Sequence, residues 1–220
     1  MNPKKARFSP MKKMLSILMT LALMLVPFAA LAQAEIDFEV YMHPNGSYGF
    51  AYPNEWVVIS REVIEQAMED GYTAGDGGIG DLFAALKPQM DQMDLVMVMN
   101  LETSDNVNLV CQDAGSHLSD EQLIKNLEEF QKIWAHVDPT TEFVSEPEIM
   151  QIVDGGRSYA VLVYRSTDAE GYPVNVVQSI TCEGTMQYTF TLTMYSLDGD
   201  AAMEAVEAME QILASFTVAV

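Results

Sequence analysis

The segment Gly75 Asp76 Gly77 Gly78 Ile79 Gly80 has G-x-G-x-x-G spacing, which in a dinucleotide fold lets backbone amides approach a pyrophosphate at a helix start. Its setting here argues against that use. A helical pattern precedes it where a strand is required, and Asp76 and Asp81 repel phosphate. The same loop carries Glu69, Asp70, Asp76 and Asp81, four carboxylates suited to a hard divalent cation. They lack the spacing of an EF-hand, so they stand as metal candidates beside the plainer reading of a solvated acidic loop. Gly156 Arg157 Ser158 Tyr159 Ala160 approximates a nucleophile elbow, but a strand pattern follows Ser158 where a helix is needed. Met90, Met93, Met97 and Met99 offer thioethers for a soft metal. Met97 and Met99 share strand phase with Leu95, which favours packing. His43, His117 and His136 are far apart and have no cysteine or carboxylate at ligand spacing. No catalytic set emerges, and no cofactor is implied; the chain reads as a non-enzyme.

The amino terminus carries Lys4, Lys5, Arg7, Lys12 and Lys13, with no acidic residue before Glu35. An apolar run from Met14 to Leu31 follows, interrupted by Pro27. This is the pattern of a secretory signal peptide. Small-x-small cleavage signals at Ala30 Leu31 Ala32 and Ala32 Gln33 Ala34 place the mature start at Gln33 or Glu35. An uncleaved anchor is the alternative, since the run is just long enough to span a bilayer. The expected organisation is a leader over residues 1–34 and a single domain over 35–220, secreted or extracytoplasmic and free of the membrane once cleaved. The whole chain has a net charge of −21. Without the leader, six basic residues stand against 32 acidic ones, a net of −26. That field disfavours nucleic acid and anionic lipid and admits cations and basic proteins. Cys111 and Cys182 fall in strand patterns, in phase with Leu109 and Ile180. One disulfide and two buried thiols both remain open from the sequence.

The elements that would position these groups follow from periodicity. Tyr48, Phe50 and Tyr52 lie two apart and share one side of a strand that Pro53 ends, and Trp56 to Ile59 restarts it, which predicts a hairpin. Ser60 caps a helix with Val63, Ile64, Ala67 and Met68 in one stripe, and Asp81 caps a second carrying Leu82, Phe83 and Leu86 that Pro88 disturbs. Leu95 to Leu101 and Asn106 to Gln112 read as a second hairpin. Asp120 to Ala135 is the clearest helix, with Leu123, Ile124, Leu127, Phe130, Ile133 and Trp134 on one face and a Ser119 and Gln122 capping box. Strands follow at Glu148 to Val153, Ser158 to Arg165, Val174 to Cys182 and Met186 to Tyr195, the last two joined by a tight turn at Glu183 Gly184. A terminal helix capped by Asp198 or Asp200 turns Met203, Val206, Met209, Ile212, Leu213 and Phe216 inward.

Hairpins, helix, meander, helix is the order of an α+β domain with an antiparallel sheet; a parallel doubly wound sheet is the weaker alternative. The chain resembles the PsbP-like family, typified by the extrinsic subunit of the photosystem II oxygen-evolving complex and sharing its fold with a Ran-binding regulator of nuclear import. The resemblance rests on the aromatic hairpin Tyr48 to Trp56 and on the terminal helix with Ile212 Leu213 Ala214 Ser215 Phe216. It implies an α-β-α sandwich around a central antiparallel sheet, used mostly to bind protein partners without catalysis, and it transfers no functional residue. The leading expectation is therefore a noncatalytic module for an unidentified protein partner. An acidic cation- or small-ligand-binding module comes second and a secreted enzyme third.

Overall fold

The computed structural model describes residues 37–72, 75, 78–153, 156–196 and 199–219. The leader of the sequence reading lies outside them, as does Asp76. Eleven strands and four helices are present among the described residues. Strands β1 (Phe38–Met42), β2 (Tyr48–Pro53) and β11 (Thr217–Val218) form a small sheet in the order β1-β2-β11. The large sheet runs β3 (Val57–Ile59), β4 (Asp94–Met99), β5 (Asn106–Asp113), β10 (Met186–Met194), β9 (Pro173–Glu183), β8 (Ser158–Thr167), β6 (Glu142–Phe143), with β7 (Glu148–Gln151) also on β8. Every pairing is antiparallel. Helices α1 (Arg61–Glu69), α2 (Ile79–Met90), α3 (Asp120–Val137) and α4 (Gly199–Ser215) complete the fold.

Alternation along β10 divides the layers. Tyr188, Phe190, Leu192 and Met194 turn to one face, where they pack with Ala205, Met209, Ile212 and Leu213 of α4 and with Tyr48, Phe50 and Tyr52 of β2. The opposite face is covered at its two ends. Leu123 and Leu127 of α3 sit over Ala160, Leu162 and Ile180, and Ile64, Phe83, Leu86 and Met90 of α1 and α2 sit over Leu95 and Met97. Between these helices Asn108, Thr189, Thr191 and Gln178 form a half-buried polar strip. This is the α-β-α sandwich with a central antiparallel sheet.

Two differences from the sequence reading matter for the site. The aromatic strand does not form a hairpin with Val57 to Ile59. β2 pairs with the upstream β1, Met42 opposite Gly49, whereas β3 crosses to the large sheet and pairs with β4. Pro53 ends the strand as expected, but alternation names the buried side of a strand and not its partner. Helix α2 begins at Ile79, so Asp81 lies in its first turn instead of capping it, and Pro88 is accommodated in the last turn. There a missing N–H costs a single helical bond. Burial also trims the predicted stripes, because Ile133 on α3 and Val63 and Met68 on α1 are exposed. The capping box of α3 is present in full.

The two thiols lie on opposite faces of the large sheet. Cys111 is opposite Tyr188, in the α4 core, and Cys182 is opposite Gln187, in the α3 core. Both are buried and free. The sheet itself stands between them, which excludes a disulfide in this fold.

Candidate functional site

Where β1 ends, the chain turns through Pro44 to Ser47 into β2, held by Gly46 N–H to the His43 carbonyl (2.7 Å) and His43 N–H to the Tyr48 carbonyl (2.9 Å). The turn brings His43 over the Tyr48 ring, with centroids 4.8 Å apart. Tyr48 is buried, yet its hydroxyl donates to Asp94 Oδ1 at the start of β4 (3.2 Å). His43 Nε2 lies 3.4 Å from the same oxygen, and its Nδ1 lies 2.6 Å from Asn45 Oδ1. The imidazole is thus held between two oxygen acceptors.

His43 and Asp94 form one wall of a cleft of about 230 Å³, lined also by Tyr41, Ser60, Arg61, Glu62 and the apolar residues Met90, Met93, Leu95 and Val96. It opens where the end of β1, the start of α1, the end of α2 and β4 converge. The N-terminus of α1 shapes its polar side. Ser60, the N-cap, donates its hydroxyl to Glu62 Oε2 (2.8 Å), and Arg61 donates to the carbonyl of Met90. Burial pushes the pKa of Glu62 up, but the Ser60 hydroxyl, a backbone N–H, His43 and Arg61 together outweigh it and hold the carboxyl below its ordinary value. Tyr41 brings a buried hydroxyl with no hydrogen-bond partner among the described residues. Burial first, then the charges of Glu62 and Asp94, hold Tyr41 protonated far above the usual range for a phenol.

Beside the cleft, β1 is the edge strand of the small sheet. Its outward residues Phe38, Val40 and Met42 are 43%, 69% and 55% exposed. They alternate with Glu39, which accepts from the Tyr52 hydroxyl (2.7 Å), and with Tyr41, which turns inward. A second hollow of about 240 Å³ lies by Arg157 and Phe216, where the guanidinium pairs with Glu183 through Nη1 (2.8 Å), lies over the Phe216 ring and keeps a buried Nε with no partner among the described residues.

The acidic candidates from the sequence fall elsewhere. Glu69 ends α1, Asp70 caps it, and Asp81 accepts the Gly75 N–H at 2.6 Å. Among the described residues no three His, Cys, Asp or Glu side chains are close enough to share a metal ion. Ser158 opens β8, as its strand context predicted, and Met90 and Met97 are core. By spacing alone His43 has no ligand near it in sequence. Its partner Asp94 is far along the chain, on β4 of the large sheet, and the packing of the small sheet on the large one brings them together.

Solved structures now place the architecture. The solution structure of cyanobacterial PsbP (CyanoP) from Synechocystis is similar over 88% of this chain and 99% of its own, at a TM-score of 0.50 and 17% identity. A crystal structure from Bacteroides thetaiotaomicron is similar over 83% of this chain, at a TM-score of 0.50 and 11% identity; the chain spans 48% of that longer protein. The fold is PsbP-like. No protein-family model and no curated protein matches the chain. Among the described residues no helix is long and apolar enough to cross a membrane.

Proposed function

We propose that the chain is an exported, noncatalytic module of PsbP-like fold that binds a basic protein partner, which adds an extended segment to the free edge of β1. The observation that carries this reading is the edge itself. Proteins usually protect such an edge with short strands, prolines or outward charges. Here five residues run unpaired on one side among the described residues, with Phe38, Val40 and Met42 exposed and no lysine or proline among them. An added strand would satisfy the edge amides and carbonyls and cover the apolar row. The net charge of −21 selects a basic segment and repels a second copy of the chain.

The reading is tested with a photo-crosslinking residue at position 40 on intact cells. The expected product joins this chain to a basic protein, and Val40→Lys weakens that complex at least tenfold by setting a cation against it. A crosslink to a second copy, a crosslink to residues 1–36 of the same chain, or a partner that binds Val40→Lys as well as the parent overturns it.

A further inference from the structure

We propose that the hollow beside Arg157 is a binding site for a small aliphatic monocarboxylate, with its carboxylate on the guanidinium and its alkyl chain on the walls built by the end of α4 and the turn between β7 and β8. The hollow shares no residue with the β1 edge, so the site stands whether or not a partner docks there.

The guanidinium is held in place but not satisfied. Its Nη1 donates to Glu183 Oε2 at 2.8 Å, and its central carbon lies 5.4 Å from the centroid of Phe216, a ring packed in turn on Tyr188 and Phe190. Among the described residues Nη2 makes no hydrogen bond, and Nε is shut off from solvent without a partner. A guanidinium carries five N–H donors and no acceptor, so most of its capacity is unused. Nη2 is the donor that a ligand in the hollow meets first. A small turn of the side chain then brings Nε, on the same edge, to the second oxygen of a carboxylate, and two parallel charge-assisted bonds form. That pairing relieves the cost of the orphaned Nε. The competitor is Glu183, whose side chain is 49% exposed against 22% for Arg157. A pair with one partner so exposed holds weakly, and Glu183 can turn out to water when the ligand arrives.

The rest of the lining decides what the carboxylate is attached to. Ile152, Val153, Leu213, Ala214 and Phe216 are apolar, and the Tyr159 hydroxyl is buried and spent on the Leu213 carbonyl (2.7 Å). Among the described residues the lining therefore holds one permanent cation and no carboxylate, in a chain whose net charge is −21. The field of Arg157 also reaches inward, where it favours ionisation of Tyr159 and Tyr188 against their burial. A volume of about 240 Å³ admits roughly eight water-sized groups at ~30 Å³ each, which matches the heavy atoms of hexanoate. An alkylammonium would meet the guanidinium with no acceptor to take its donors, and a sugar would strand its hydroxyls on apolar walls. A neutral alcohol of the same length would gain no charge-assisted bond.

Titration of the purified protein with hexanoate, acetate, hexanol and hexylammonium at pH 7, followed by the NMR signals of the Arg157 Nε–H and the Phe216 ring, tests the site. Hexanoate is expected to saturate with a Kd on the order of 1 mM, a reasonable strength for so small a ligand. Acetate, which lacks the chain, and hexanol, which lacks the charge, should each bind at least tenfold more weakly, and hexylammonium should not bind. Arg157→Lys keeps a cation but loses the planar fork, and should weaken hexanoate at least fivefold. Glu183→Gln, at a half-exposed position, removes the competing charge and should tighten hexanoate two- to fivefold. An arginine that serves only to hold Phe216 and Glu183 gives no saturable shift with hexanoate, and that result overturns the proposal. Equal binding of hexanol or acetate, parent-like affinity in Arg157→Lys, or weaker binding in Glu183→Gln overturns it as well. N-acetylleucine carries the same carboxylate on a peptide-like amide; if it binds more tightly than hexanoate, the ligand is a peptide terminus and the assignment to a free aliphatic acid fails.

Discussion

Gly49→Ala tests the joint between the open edge strand and the core. Gly49 lies opposite Met42 of β1 and opposite Thr217 of β11, so it is flanked on both sides within the small sheet. A Cβ built there would collide with the Met42 sulfur and stand 2.8 Å from the Tyr41 carbonyl oxygen. The two clashes differ in kind. The Met42 side chain is more than half exposed and can swing away. The Tyr41 carbonyl is backbone, and relief to an ordinary contact of about 3.5 Å requires β1 to move. Overpacking of this sort costs about 1–3 kcal/mol. Replacing glycine within a strand returns about 0.5–1 kcal/mol. The net destabilisation is then about 0.5–2 kcal/mol, or a fall in Tm of roughly 1–8 °C for a domain of this size. Calorimetry on Gly49→Ala, Met42→Ala and the double variant measures it. Because the backbone clash dominates, Met42→Ala should recover less than half of the loss. A variant as stable as the parent, or full rescue by Met42→Ala, refutes the close approach of β1 and β2 at this point.

Two further outcomes follow from buried hydroxyls and thiols. Tyr159→Phe removes a buried bond of 2.7 Å to the Leu213 carbonyl near the end of α4, leaves that carbonyl unpaired, and should lower the urea unfolding free energy by about 1–3 kcal/mol; no change would show that water replaces the bond. Alkali should unfold the protein progressively. Burial, then Asp94, pushes the Cys111 thiol up to about 12, and burial raises Tyr164 to about 12 and Tyr48 and Tyr159 further. In the unfolded chain these groups lose protons from about pH 8.5 for cysteine and about pH 10 for tyrosine. The folded state therefore holds more protons between about pH 9 and 12, and stability must fall as pH rises through that window, by at most about 1.4 kcal/mol per pH unit and group. A urea midpoint equal at pH 8 and pH 11 would contradict the burial of these side chains.

Periodicity exposed much of this architecture. The clean alternation of β10 identified both faces of the large sheet, because a period of two leaves no other assignment for Tyr188, Phe190, Leu192 and Met194. Ser119 and Gln122 located the start of α3 to the residue, since a capping box is a local arrangement that needs no tertiary context. β1 was not found, although Phe38, Val40 and Met42 alternate and Pro44 Asn45 Gly46 Ser47 marks a turn. Its apolar residues face outward, and the stronger aromatic signal next to it drew the hairpin downstream. β6 and β11 have two residues each, too few for any period to register.

The cleft was illegible for a different reason, and Tyr48 shows why. In sequence it belongs to an aromatic alternation whose members are interchangeable, and burial bears that out for Tyr48, Phe50 and Tyr52 alike. A hydroxyl distinguishes tyrosine from phenylalanine, however, and a buried hydroxyl must find a partner or carry the cost of lacking one. Tyr52 reaches Glu39, Tyr159 reaches the Leu213 carbonyl, and Tyr48 reaches across from the small sheet to Asp94 of the large one. Tyr41 alone of these four reaches nothing within the described residues. The place where a core aromatic fails to satisfy its own polar atom is also the place where a histidine and two carboxylates gather. Such a coincidence depends on how two sheets stack, which neither spacing nor composition encodes. A search of sequence for function in a fold of this kind should therefore ask of each inward tyrosine why it is not phenylalanine.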